Sequence, residues 1–402
     1  MDAAGERAAA GSSPDRPVPV RVLLGGVLAL AAAMGVGRFV YTPLLPAMER
    51  ATHLGTGPAG LLASANYAGY LAGALLFTLV TLGVRRHLTV GVALALVAVT
   101  TALMATTTNF SAWSAIRFAS GIASAAVFIL ASDAVLAVLR RTGHASLAGW
   151  LYSGVGLGIA ASGVIVHMAA GAAGWQQGWI AVAVLAAIIA YPAWSSLSAA
   201  FRIGETDRHA EAGAMPPVRT ALGLLLAAYT LEGAGYIVTG TFLVAIVDRA
   251  PGLSGVGWAV WVVVGLAAVP STVIWSAASG RLGSAPVLSL VYLTQACGIL
   301  LPAFAGGAPA AFIAAILFGG TFLAVAALTL SLAARLFPAR SAAVIGLLTV
   351  GFGVGQIVAP PLAGLTAGPT HDFRPALIAA SAAVLLASAL TVVLSRQHAA
   401  RR

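Results

Sequence analysis

The chain has 402 residues, of which 60% are hydrophobic and only 8% are charged. A soluble globular protein carries about 25% charged residues, so this composition excludes a soluble domain and predicts an integral membrane protein. The net charge of +10 does not indicate nucleic-acid binding, because basic residues of membrane proteins concentrate in cytoplasmic loops. The single cysteine, Cys297, lies in an apolar stretch, which excludes an intrachain disulfide and argues against a metal cluster. The sequence therefore predicts no metal and no cofactor.

Twelve apolar segments follow a polar N-terminal tail, 1–19, and each is long enough to span a membrane. The first is too long for a signal-peptide core, so it is predicted to be retained. A polar stretch, 201–219, is predicted to be a cytoplasmic linker between an N-terminal bundle, 20–200, and a C-terminal bundle, 220–395. A short tail, 396–402, ends the chain. The predicted spans are 20–46, 58–82, 88–106, 112–139, 146–170, 178–200, 220–247, 255–279, 285–305, 308–336, 341–367 and 375–394.

The arginines predict the orientation of these spans. With the N-terminus inside, the outer loops hold only Arg50, Arg249 and Arg374, whereas sixteen arginines lie on the cytoplasmic side. This asymmetry satisfies the positive-inside rule and predicts that both termini are cytoplasmic. The sixteen are Arg7, Arg16, Arg21, Arg85, Arg86, Arg140, Arg141, Arg202, Arg208, Arg219, Arg281, Arg335, Arg340, Arg396, Arg401 and Arg402.

The two halves of the chain repeat one another at an offset of about 200 residues. Three pairs of short segments match across the polar linker, and together they indicate two parallel six-helix halves. The sequence thus predicts an all-α membrane protein with two pseudo-symmetric six-helix bundles, which is the major facilitator fold. The pairs are GVGRFVYT (35–42) with GAGYIVTG (233–240), AIRF (115–118) with AILF (315–318), and GVGLG (154–158) with GFGVG (351–355).

Arg38 and Glu232 are charged residues inside the first and seventh predicted spans. Charge inside a bilayer costs roughly 3 kcal/mol or more, so such residues usually face a cavity or a partner. Arg38, with Tyr41 on its helical face, is predicted to bind substrate, or alternatively to tether carbonyl groups freed by nearby prolines. Glu232 shares a face with Tyr229 and Tyr236, a stripe suited to a polar solute. We predict that Glu232 also exchanges protons; the alternative is a permanent ion pair that joins the halves.

Arg117, in the fourth span, precedes a small polar face and has the R-x-x-x-G spacing found in helix 4 of many major facilitator proteins. We predict that Arg38, Arg117 and Glu232 face one central cavity, whose net positive charge favours an anionic or hydroxyl-rich substrate. Four uncharged polar residues are also predicted to line it, although bridging between helices is a common alternative use. These four are Asn66, Tyr70, Gln295 and Gln356.

Asp133 lies near the cytoplasmic end of the fourth span, too far from the centre for a substrate site. Four arginines face the same side, so we predict a cytoplasmic latch that stabilises the outward-open state. The alternative is a solvated charge at a helix end. The four candidate partners are Arg85, Arg86, Arg140 and Arg141.

Several of these segments resemble the YbfB/YjiJ-type branch of the major facilitator superfamily, and the similarity covers nearly the whole membrane region. The resemblance implies a secondary transporter that works by alternating access through a central cavity, of a sugar-efflux-like or general permease type. The segments are GVGRFVYTPLLPAM (35–48), SANYAGYLAGALL (64–76), RFASGIASA (117–125), YSGVGLGIAASG (152–163) and YTLEGAGYIVTGTF (229–242).

Two departures from superfamily motifs leave the direction of transport open. The loop TLGVRRHL lacks the acidic residue of the usual gating motif, so only its basic part, Arg85 and Arg86, carries over. The fifth span lacks the Gly-Pro of the antiporter signature. Drug or metabolite efflux by antiport is therefore an alternative to uptake.

A membrane-embedded lipid-modifying enzyme is the alternative from another class. Such an enzyme needs clustered acids or a histidine beside a nucleophile, whereas the eleven acidic residues here are scattered singly. A passive channel suits the repeat and the isolated charges less well. The sequence thus predicts a monomeric transporter, not an enzyme, in a bacterial cytoplasmic membrane. Its partners are a small-molecule substrate, protons and the lipid bilayer.

Overall fold

The structure is a computed structural model that describes residues 17–79, 85–203 and 220–399. Within these ranges the chain is helical, with no strand. The predicted linker falls largely outside them; α8 ends at Ile203 and α9 begins at Thr220. The helices are α1 (Pro17–Leu30), a π-helical segment (Ala31–Arg38), α2 (Tyr41–Thr52), α3 (Thr56–Leu79), α4 (Arg86–Leu103), α5 (Phe110–Arg141), α6 (Ala148–Leu151), α7 (Ser153–Ala173), α8 (Trp175–Ile203), α9 (Thr220–Arg249), α10 (Gly257–Leu282), α11 (Ser284–Phe304), α12 (Ala308–Leu336), α13 (Ser341–Ala367) and α14 (Arg374–Ala399).

Twelve helical segments of the described chain are long and apolar enough to cross a membrane, which confirms the predicted number of spans. The first span combines α1, the π-helical segment and α2, and the fifth begins with a 3₁₀ turn (Ala145–Leu147) and continues through α6 and α7. Because successive spans alternate in direction, the helix ends fall into two groups. We call the end that holds Arg86, Arg141 and Arg335 the arginine-rich end, and the end that holds Thr52, Thr56 and Arg249 the opposite end.

The first span is not one regular helix. The Phe39 N–H donates to the Met34 carbonyl over five residues, which is the π-helical pattern. The Thr42 N–H then donates to the Phe39 carbonyl rather than to the carbonyl of Arg38, four residues back. Pro43 follows and has no N–H to give. The chain therefore leaves the Arg38 carbonyl outside the regular helical ladder, midway through the span.

The two halves pack mainly through three pairs of helices: α2 with α9, α3 with α13, and α7 with α10. Glycines bring α7 close to both of its neighbours. A Cβ atom on Gly156 would lie 2.5 Å from the Gly265 carbonyl of α10, and one on Gly158 would lie 2.5–3.0 Å from backbone atoms of the first span. Small residues of this kind let transmembrane helices approach closely. Thus α7 holds the first half together on one face and contacts the second half on the other.

Candidate substrate-binding site

Arg38 lies where the two halves meet, and only 3% of its surface is exposed. Its Nη2 donates to Gln356 Oε1 of α13 at 2.9 Å, while its Nε is buried without a hydrogen-bond partner. The Gln356 amide in turn donates to the Tyr236 hydroxyl of α9. A continuous polar chain therefore joins the first half to two helices of the second half.

Aromatic rings surround the Arg38 guanidinium. Its central carbon lies 4.2 Å from the ring centre of Tyr70 and 4.8 Å from that of Tyr67, both on α3. These distances are within the range of cation–π attraction. The Tyr67 hydroxyl also lies 3.1 Å from the Thr241 hydroxyl of α9. Arg38 is thus held by rings of its own half and by an amide of the other.

Arg117, on α5, is also buried and contacts the main chain of Arg38. Its Nη2 approaches the Arg38 carbonyl at 3.5 Å, the carbonyl that the π-helical segment leaves free. Its guanidinium lies 4.9 Å from the ring centre of Tyr41, and its own carbonyl accepts from Asn66 Nδ2 at 3.0 Å. The Tyr41 hydroxyl donates to the Ala59 carbonyl at 2.9 Å. These groups lie in the first half and support the position of Arg38.

The second half contributes a stack of aromatic rings. Tyr236 lies nearly parallel to Phe352 and Phe322, with ring centres 5.4 and 6.2 Å away. Tyr229 also stacks on Phe352, with ring centres 4.4 Å apart. Offset stacking at such separations is favourable by roughly 0.5–1.5 kcal/mol for each pair. The hydroxyl of Tyr236 thus belongs to the polar chain while its ring belongs to the aromatic stack.

Glu232 occupies a separate position between α9 and α11. Its Oε1 accepts from Gln295 Nε2 at 2.8 Å, and its Oε2 is buried without a hydrogen-bond partner. Among the described residues it forms no ion pair, so nothing there corresponds to the inter-half ion pair considered as an alternative. It lies one helical turn from Tyr236 on α9, which connects it to the polar chain through a shared helix.

The described part of the chain holds two buried arginines that no carboxylate balances. The acidic residues of the described ranges all contact other groups. Glu49 pairs with Arg249, Asp133 with Arg86, Glu232 with Gln295, Asp248 with the Gly257 N–H and Asp372 with the Arg374 N–H. Because none of these carboxylates contacts Arg38 or Arg117, the two arginines give the site a net positive charge. An unpaired buried charge is costly.

An ion pair joins the two halves at the opposite end. Arg249 Nη2 of α9 lies 2.5 Å from Glu49 Oε2 of α2, and the Glu49 side chain is 5% exposed. Besides the Arg38–Gln356 and Tyr67–Thr241 contacts, three short hydrogen bonds join the halves on the side of the opposite end, and a further one, from Thr272 to the Gly149 carbonyl, lies toward the arginine-rich end. The three run from Thr42 to the Gly240 carbonyl at 2.5 Å, from Thr56 to the Gly364 carbonyl at 2.7 Å, and from Ser64 to the Ile357 carbonyl at 2.6 Å.

A second ion pair lies at the arginine-rich end. Arg86 Nη2 of α4 contacts Asp133 Oδ2 of α5 at 2.5 Å, so the predicted association of Asp133 with an arginine is present in the structure. Both helices belong to the first half. Arg85, Arg140 and Arg141, the other candidates, are exposed at this end.

The structure brings some of the predicted site residues together and separates others. Arg38, Tyr70, Gln356 and Tyr236 form one cluster, and Tyr229 joins it through the aromatic stack. Tyr41, Asn66 and Arg117 adjoin it in the first half, whereas Glu232 and Gln295 form their own pair in the second.

Sequence reasoning missed Tyr67, Phe352 and the Glu49–Arg249 pair. Opposite charges 200 residues apart, at the ends of the first spans of two repeats, were the available signal for that pair. Tyr67 and Phe352 carry no such signal, because aromatic residues in transmembrane helices commonly face lipid or other helices.

Twelve spans in two packed halves, with a buried polar cluster between them, define a transporter of the major facilitator class. The chain belongs to the family described as "Uncharacterised MFS-type transporter YbfB", whose model matches residues 30–392. The resemblance predicted from the sequence is thereby confirmed, and the protein is a multi-pass membrane transporter.

Solved structures of low sequence identity share the fold. A crystal structure of the nucleoside transporter NupG superposes with a TM-score of 0.72 at 12% identity, covering 94% of this chain and 99% of that one. A crystal structure of a NupG point mutant gives 0.69 at 14% identity, covering 95% and 99%. No curated protein sequence matches the chain.

Proposed function

We propose that this protein is a proton-coupled secondary transporter that moves a small organic anion or a hydroxyl-rich solute by alternating access. The observation that carries the proposal is the polar chain from Arg38 through Gln356 to Tyr236. It crosses between the halves at the depth where transporters of this kind bind their substrates. The membrane is a bacterial cytoplasmic membrane, and the arginine-rich end with both termini faces the cytoplasm, as the arginine asymmetry indicates.

The inter-half contacts support a state that is closed at the opposite end. The Glu49–Arg249 pair and the hydrogen bonds of Thr42, Thr56 and Ser64 must separate if the halves part there. Several rings between Arg38 and the arginine-rich end are only partly buried, which supports access from that side. They are Tyr70, Phe128, Tyr152 and Phe352.

Glu232 is the proposed proton carrier. A carboxyl group can cross the enclosed state as a neutral group, whereas an unpaired charge in the membrane interior is costly. If the substrate is an anion, a proton on Glu232 adds to the positive charge of the site and the two bind together, which gives symport. A neutral or cationic substrate would instead exchange with the proton. Uptake of the anion is our proposal, and efflux by exchange is the alternative.

The test uses purified protein in proteoliposomes. Glu232→Gln keeps the size of the side chain and its contact with Gln295, but it cannot carry a proton. We therefore expect this variant to abolish the accumulation of substrate driven by a pH gradient, while equilibrative counterflow of substrate continues. Asp248→Asn is the matched control, because Asp248 lies on the same helix but contacts the Gly257 N–H at its end. Full gradient-driven transport by Glu232→Gln would contradict proton coupling through this residue.

A further inference from the structure

We propose that the substrate is a planar aromatic carboxylate, whose carboxylate binds Arg38 and whose ring lies among the aromatic side chains beside it. This inference rests on the proposed function, since it names the substrate class of the same site. It depends on two properties of the cluster that no other part of the described chain combines: uncompensated positive charge and aromatic rings from both halves.

The charge comes from Arg38 and Arg117. None of the carboxylates in the described ranges contacts either guanidinium, and the Nε of each arginine is buried without a hydrogen-bond partner. Gln356 supplies a neutral acceptor to Arg38. A carboxylate is a stronger acceptor for a guanidinium than an amide, because the hydrogen bond is assisted by charge on both partners. An anionic substrate can therefore displace the Gln356 amide from Arg38.

The ring preference comes from the neighbours of Arg38. Tyr70 lies 4.2 Å from the guanidinium, and Phe352 lies 5.4 Å from Tyr236, whose hydroxyl ends the polar chain. Tyr70 and Phe352 are partly exposed and come from different halves. A planar ring that enters between them gains stacking contacts with both halves. An aliphatic ring of similar size would gain the burial without the stacking, which is worth roughly 0.5–1.5 kcal/mol for each pair.

Four probes separate charge from ring shape: benzoate, benzamide, cyclohexanecarboxylate and uridine. We expect benzoate to raise the melting temperature of the purified protein and to exchange across proteoliposome membranes. Benzamide lacks the charge, so it should bind at least about tenfold more weakly, given roughly 1.5–3 kcal/mol for a hydrogen bond to a charged group. Cyclohexanecarboxylate keeps the charge but loses the stacking on both rings, so it should bind at least about fivefold more weakly.

Two variants assign these preferences to residues. Arg38→Gln should lose benzoate binding, whereas Arg335→Gln, which removes an exposed arginine that contacts Ser284, should keep it. Phe352→Leu keeps the apolar bulk but removes one of the two rings, so it should reduce the preference for benzoate over cyclohexanecarboxylate, and the contact with Tyr70 should keep the remainder. This second variant tests the inference even if Arg38→Gln fails to fold.

The outcomes distinguish this inference from the proposed function. If the wild type binds cyclohexanecarboxylate as tightly as benzoate, the aromatic preference is overturned. If it binds benzamide as tightly as benzoate, the charge requirement is overturned. Exchange of uridine without exchange of benzoate would overturn the substrate class while leaving alternating access intact. No binding of benzoate would likewise overturn the inference, and counterflow of any solute would still support the transporter.

Discussion

The ion pairs at the two ends of the molecule connect different parts of the fold. At the opposite end, Glu49 and Arg249 join α2 to α9 and so link the two halves. At the arginine-rich end, Arg86 and Asp133 join α4 to α5 within the first half. When two halves rock against each other, a bond between them must break, but a bond inside one half can persist. The Glu49–Arg249 pair therefore biases the conformational equilibrium, whereas the Arg86–Asp133 pair mainly stabilises one half.

One cysteine reporter measures this difference. Cys297, which is exposed, is first replaced by Ser. Gly240→Cys then places a thiol at a buried position of α9 whose carbonyl accepts from Thr42, and its Cβ atom has its nearest neighbours, in α9 and at Phe318 of α12, at 3.5–4.0 Å. A membrane-impermeant maleimide should label it only when the opposite end is open. Ser254→Cys, in the exposed loop after α9, gives the reference rate.

The largest effect is expected from reversing one charge of the inter-half pair. Glu49→Arg places two positive charges together at the opposite end, so the state that is closed there should lose its ion pair and suffer repulsion. We expect labelling of Gly240→Cys to rise at least about tenfold, which corresponds to roughly 1.4 kcal/mol. The double variant Glu49→Arg with Arg249→Glu restores opposite charges and should bring labelling back toward the starting rate. Unchanged labelling in the single variant would remove the pair from any gating role.

A smaller effect is expected from the uncharged contacts between the halves. Tyr67→Phe removes the hydroxyl that lies 3.1 Å from the Thr241 hydroxyl and keeps the ring beside Arg38. One neutral hydrogen bond is worth about 0.5–1.5 kcal/mol, so labelling should rise roughly 2–10-fold, less than after charge reversal. Thr241→Val removes the other hydroxyl and should raise the labelling rate to the same extent as Tyr67→Phe. The double variant should label no faster than either single variant. Additive effects would show that the two hydroxyls act independently.

The smallest effect on this reporter is expected from Asp133→Asn. Because its pair with Arg86 lies within the first half, labelling of Gly240→Cys should change less than about twofold, while thermal stability falls by up to roughly 1 kcal/mol. The latch predicted from the sequence would have a different consequence. Loss of Asp133 would then favour inward-open states and strongly decrease the labelling of Gly240→Cys. The measurement therefore decides between a latch and a contact that stabilises one half.

Much of the fold was predictable because it depends on local composition. Twelve apolar segments, the arginine asymmetry and the repeat at an offset near 200 are properties of the sequence read in short windows. A helix must satisfy its own backbone in lipid, so an apolar run of that length leaves the chain few other choices. The sequence did not predict the π-helical segment inside the first span, because that segment depends on Pro43 and on close packing with α7.

The candidate site likewise has features that could be predicted from the sequence and features that could not. The sequence by itself marked Arg38, Arg117 and Glu232, since a charge in an apolar run is conspicuous wherever it later packs. Only the tertiary structure decided their partners: Gln356 for Arg38, a main-chain carbonyl for Arg117 and Gln295 for Glu232. Residues 63 to 318 positions apart meet in these three contacts, and helix rotation and tilt decide which groups face each other. Those angles are determined by packing summed over many small contacts, which no single sequence window contains.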